Sequence, residues 1–174
     1  MHLDQLTDDE CLWEPTKPCW TVRARPGGGW LADWQAPMPD PPPVPTIGWR
    51  TWQVGRWWSQ TLNATFDGDA RRTDVVACPD DTVGVRSSED GGAPATIDWP
   101  ADAELTVWWL RQLHERWGAE LRGLGEQDLD GFDRSDWLQR GTKPLAHLLV
   151  WVNSELTRSA AEIGLLRCLY ANAG

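Results

Sequence analysis

The last quarter of the chain holds the densest set of side chains able to do chemistry: Glu155, Arg158, Ser159 and Glu162. At i, i+4 and i+7, Glu155, Ser159 and Glu162 share one side of a helix and can meet a group from a neighbouring helix. Carboxylates at those positions could act as a general base or a metal ligand. The simpler reading is a surface lattice, Glu155 with Arg158 and Arg158 with Glu162, each pair worth about 0.3–0.5 kcal/mol. Ser159 interrupts an otherwise apolar row, which favours an inward polar site. The only histidines are His2, His114 and His147, and no HExxH, GxSxG or phosphate-binding glycine loop occurs. His147 shares a face with Trp151 and Glu155 and reads as a histidine near a helix start. Cys11, Cys19, Cys78 and Cys168 contain no CxxC pair, so they read as free thiols of a cytoplasmic protein. Cys168, among Leu165, Leu166 and Leu169, reads as a small buried hydrophobe.

Three long helical patterns must position these residues. Thr46 caps the first, with Ile47, Val54, Trp58, Leu62 and Thr65 at helical spacing and Trp49, Gln53 and Trp57 in an adjacent row. The second runs over 100–123, with Leu105, Trp108, Trp109, Leu113, Trp117 and Leu121 as its face. The third covers 142–171, where Leu145, Leu148, Val152, Leu156, Ser159, Ile163 and Leu166 recur. Thr7 and Glu10 form a capping box on a short opening helix. Another short helix is expected over 125–139, with Leu129, Phe132 and Trp137 inward. Residues 14–45 are rich in Pro and Gly and carry Trp13, Trp20, Trp30 and Trp34. They read as an ordered wrap anchored by indoles rather than a flexible linker. Strand-like pieces at 75–77 and 82–85 and a polar, Gly-bearing excursion at 87–94 fall within a second irregular stretch. No sheet is evident, and the prediction is one all-α domain over 1–174, an antiparallel helix bundle.

Composition excludes some partners. The 174 residues carry 16 Lys+Arg against 26 Asp+Glu, a net charge of −10 with a pI near 4.6. Such a balance repels phosphate backbones and anionic membrane surfaces, which speaks against nucleic acid and membrane as partners. The 14 Trp, against one Tyr and two Phe, speak against disorder.

Several pieces, in order, resemble the DinB/YfiT-like superfamily, on its actinobacterial side. They are Leu6-Thr7-Asp8-Asp9-Glu10 with Leu12-Trp13-Glu14-Pro15, then Cys19-Trp20-Thr21-Val22-Arg23, then Thr46-Ile47-Gly48-Trp49-Arg50-Thr51-Trp52-Gln53-Val54 after Pro42-Pro43. The last are Asn153-Ser154-Glu155-Leu156 and Ala161-Glu162-Ile163-Gly164-Leu165-Leu166-Arg167. The resemblance implies a four-helix bundle related to mycothiol-dependent maleylpyruvate isomerases, with a three-residue site for a divalent metal such as Zn or Ni. Its metal positions fall on Gln53, Glu155 and Ser159. Only Glu155 is a strong ligand, so the resemblance implies a degenerate site that binds Zn or Ni far more weakly and could hold a hard ion such as Mg or Ca if carbonyls or waters completed it. Trp49, Trp52, Trp57 and Trp151 are the expected pocket, and Glu155, Glu162 and Arg158 the weak catalytic candidates. The resemblance implies a long helix before the Leu-Thr-Asp-Asp-Glu piece; with only five residues there, the expectation is a groove of the bundle left open, unless the start lies upstream, a partner helix fills it or the Trp-rich wrap does. Three functions compete: a non-catalytic module for a small molecule or a partner, a metal-dependent thiol transferase or isomerase with an altered site, and an interaction subunit or homodimer using the open groove.

Overall fold

The structure is a computed structural model, described here for residues 3–35, 39–67, 99–100, 102–135 and 143–173. It is mostly helical with a small strand component. Helix α1 (Asp8–Leu12) leads into four short strands, β1 (Cys19–Trp20), β2 (Val22–Ala24), β3 (Trp30–Ala32) and β4 (Val44–Pro45). Helix α2 (Ile47–Leu62) continues as one π-helical turn, Asn63–Asp67. Helices α3 (Ala103–Arg122), α4 (Glu126–Asp130) and α5 (Leu145–Ala171) follow.

The strands correct the expectation of a purely α fold. β2 and β3 form an antiparallel hairpin with Val22 opposite Ala32, and β1 lies parallel to β4. The hairpin turn needs three successive left-handed residues, and Gly27, Gly28 and Gly29 supply them with φ of 97°, 102° and 81°. Strand-length pieces of two or three residues surrounded by Pro and Gly leave too little alternation to be seen in sequence. Indoles fasten this segment to the helices. Trp20, Trp34 and Trp49 lie ring against ring, with centroids 5.0–6.2 Å apart, and Trp49 Nε1 donates to the Asp33 carbonyl at 2.7 Å. Thr46, fully buried, caps α2 by accepting from Trp49 N, and its Oγ1 donates to Thr21 Oγ1 at 3.1 Å.

Helix α2 packs against both α3 and α5, which make little contact with each other. Its neighbours fix the helix directions. Gly55 meets Trp109, Trp58 meets His114, Asn63 accepts from Arg116, and Phe66 meets Trp117, so α2 and α3 run parallel. Arg50 meets Glu162 and Trp57 meets Trp151, so α5 runs antiparallel to α2. The uniformly antiparallel bundle of the sequence reading is therefore wrong for the α2–α3 pair. Hydrophobic spacing reports a helix and its buried face, not the direction of its neighbour.

Helix ends follow their caps. Thr7 accepts from Glu10 N, and Asp102 from Leu105 N. The other half of the expected Thr7–Glu10 box is not made among the described contacts. The Glu10 carboxylate instead binds Arg167 of α5 in bidentate fashion, at 2.7 and 3.1 Å. Asp8 accepts from Ala103 N at 2.7 Å, so α1 ties α3 and α5 together. The buried face of α3 is Thr106, Trp109, Leu110, Leu113 and Trp117, whereas Leu105 and Trp108 are about half exposed. Phe132, expected inward, is exposed, and Cys168 is exposed because it points about 200° around the helix from buried Leu166. The pieces at 75–77, 82–85 and 87–94, Cys78 and Trp137 lie outside the described residues.

Candidate functional site

The antiparallel crossing of α2 and α5 sets two stripes face to face. Arg50, Gln53 and Trp57 lie one turn apart on α2, and Trp151, Glu155, Arg158 and Glu162 do the same on α5. At one end of the seam the Trp57 and Trp151 rings are 5.7 Å apart. At the other, Arg50 forms an ion pair through its NH2 group with Glu162 Oε2. Arg50 also donates from NH1 to Gln53 Oε1 at 2.5 Å, and its guanidinium lies 5.6 Å from the Trp49 ring. Arg158 holds Glu155 Oε2 at 2.5 Å. Two carboxylates and two guanidiniums thus balance in charge along the seam.

Burial makes the Arg50 contact unlike a surface pair. Only 12% of the Arg50 side chain is exposed, against 34% for Glu162. Burial draws the Arg50 guanidinium below its ordinary pKa, Glu162 pushes it back up, and the Arg158 charge lowers it further. The lattice read from sequence is therefore half present. Glu155 does pair with Arg158, but Glu162 turns to the other helix.

The three positions carried over from the resemblance are engaged separately. Gln53 accepts from Arg50, Glu155 from Arg158, and Ser159 is 4% exposed in the wall of a cavity on the α3 side of the seam. This set does not suit a divalent metal. The Gln53 oxygen and the Glu155 carboxylate already accept from guanidinium groups, and Ser159 offers a neutral hydroxyl where Zn or Ni prefer imidazole or thiolate. A divalent ion about 5 Å from one guanidinium would meet a repulsion of roughly 7 kcal/mol at an effective dielectric of about 20. Among the described residues no group of three or more His, Cys, Asp or Glu side chains is placed to hold a metal ion. His147 is exposed at the start of α5.

Of the four expected pocket indoles, Trp49 and Trp52 are core residues, and Trp57 and Trp151 close one end of the seam. None of them lines the cavity between α2, α3 and α5, which measures about 220 Å³. Its walls include Val54, Trp58, Leu110, Leu156 and Ile163, with Leu3 and Asp4 from the chain's start beside them. Sequence reasoning passed over Arg50, whose only signal was a charge on a helix apolar on most sides. It also passed over Trp58, Arg111 and His114 as cavity residues.

A family model described as the DinB superfamily matches residues 1–163. The chain belongs to the DinB superfamily. No curated protein and no solved structure matched it. Among the described residues no helix is long and apolar enough to cross a membrane.

Proposed function

We propose that this DinB-superfamily protein is a small-molecule binding module whose former metal position is held together by its own ion pairs. The observation that carries the reading is the engagement of both seam carboxylates by guanidiniums, Glu155 by Arg158 and Glu162 by Arg50. A catalytic ion needs ligands with free lone pairs and an open coordination position. Here an arginine from α2 fills the space in front of the α5 carboxylates and joins the helices as a bridging ion would. Glu155, Glu162 and Arg158 act in this reading as structural charges rather than as acids or bases. Reduced Cys11 and Cys19, both buried and free, suit a cytoplasmic setting.

The reading is tested with mycothiol and a panel of electrophilic acceptors, with Zn, Ni or Mg added. The expected result is no turnover above the uncatalysed rate. Metal-dependent turnover that disappears in Glu155→Ala would overturn it and establish the thiol transferase or isomerase instead.

A further inference from the structure

The cavity between α2, α3 and α5 has features that define a ligand class. Val54, Trp58, Leu110, Leu156 and Ile163 make its walls apolar. Ser159, 4% exposed, is the neutral hydroxyl-bearing side chain among the residues that line it. A hydroxyl set in apolar walls gives a polar atom of a bound molecule a hydrogen-bond partner there. At the mouth Arg111 sits 3.3 Å from Asp4, and His114 stands against the Trp58 ring. The apolar walls penalise a bound ion.

Size limits the ligand further. An apolar cavity of about 150 Å³ holds one benzene ring. A cavity of about 220 Å³ accepts one ring or two fused rings. We propose that this cavity binds an uncharged aromatic molecule of one or two rings bearing a single hydroxyl or carbonyl, which hydrogen-bonds to Ser159 Oγ. The inference deepens the binding-module reading and rests on it. The aromatic body packs on Trp58 and the aliphatic walls, and the Ser159 hydroxyl donates or accepts according to the ligand's group.

Fluorine NMR titration of the full chain tests this with 6-fluoro-2-naphthol, 2-fluoronaphthalene and 6-fluoro-2-naphthoate. The expected order is naphthol tightest, fluoronaphthalene weaker, and naphthoate at least tenfold weaker than naphthol. Ser159→Ala should weaken naphthol about 3- to 10-fold and leave fluoronaphthalene unchanged. Ala160→Phe, which fills the cavity from its exposed edge, should abolish binding of both. Circular dichroism checks that each variant is folded, and either variant alone suffices for the test. No binding at millimolar ligand, naphthoate binding as tightly as naphthol, or full binding by Ala160→Phe would overturn the proposal. Such a failure leaves the metal and turnover tests of the seam untouched, so the two readings fall separately.

Discussion

Breaking the Arg50–Glu162 pair measures how far the seam depends on its internal charges. A fully buried pair that loses one partner costs about 3–5 kcal/mol, whereas an exposed pair is worth about 0–1 kcal/mol. With Arg50 12% and Glu162 34% exposed, the seam falls between these limits. The two single substitutions should not be equal. Glu162→Ala strands a guanidinium that cannot reach water and keeps only Gln53 as an acceptor, so it should cost about 2–3 kcal/mol. Arg50→Met leaves Glu162, which can turn to solvent, and replaces the arginine stem with apolar bulk, so it should cost about 1–2 kcal/mol. The double variant should cost little more than Glu162→Ala alone, giving a coupling of at least about 1 kcal/mol. Urea unfolding followed by far-UV circular dichroism gives all four corners of the cycle. Raising the salt to 0.5 M should reduce the coupling only slightly, because the pair is largely shielded from solvent. A coupling below about 0.5 kcal/mol, or one abolished by salt, would make Arg50 no more than a surface charge.

Other perturbations probe the elements around the seam. At Gly55 a Cβ would lie 2.1, 2.2 and 2.7 Å from three ring carbons of buried Trp109, so Gly55→Ala forces α2 and α3 apart. Overpacking of about 1–3 kcal/mol should outweigh a helix-propensity gain of about 1 kcal/mol. A fall of about 2–8 °C in Tm is the expected result, and a rise would contradict the close approach. Burial pushes the Cys11 thiol up to about 12 and the Cys19 thiol to about 11. Both should resist a thiol reagent at pH 8 in the folded protein, while exposed Cys168 reacts. The same shifts set the sign of an alkaline effect. The stability these thiols contribute is complete below the unfolded value of about 9 and is lost as pH rises toward about 12. Cys11→Ala should flatten that decline in urea midpoints measured from pH 8 to 11. Glu10→Gln weakens the bidentate tie to Arg167 and should cost about 1.5–3 kcal/mol in the same unfolding assay.

The sequence carried the long helices and lost what depends on how they meet. Thr46 and the recurrence from Ile47 to Leu62 locate α2 because capping and periodicity are local. Leu145, Leu148, Val152, Ser159, Ile163 and Leu166 mark the buried face of α5 for the same reason. Leu105 and Trp108 were misjudged because bulky apolar residues next to the true face follow the same period. Glu162 was assigned to its nearest cation along the chain, Arg158. Its partner, Arg50, comes from another helix, and no spacing rule connects them. The cavity was invisible for a related reason, since its walls come from three helices whose parallel and antiparallel neighbours only the fold sets. The Ser159 hydroxyl stood out in sequence as a break in an apolar row, but that it borders a cavity is a property of the packing.

In the proposed function guanidinium charges, not a divalent ion, hold the α2–α5 seam. Metal content of tag-free protein, measured by inductively coupled plasma mass spectrometry after growth with added Zn and Ni, tests it most directly. The expected content is well under one equivalent of any divalent metal, unchanged by Glu155→Ala. One stoichiometric Zn or Ni per chain, lost on Glu155→Ala, would contradict it.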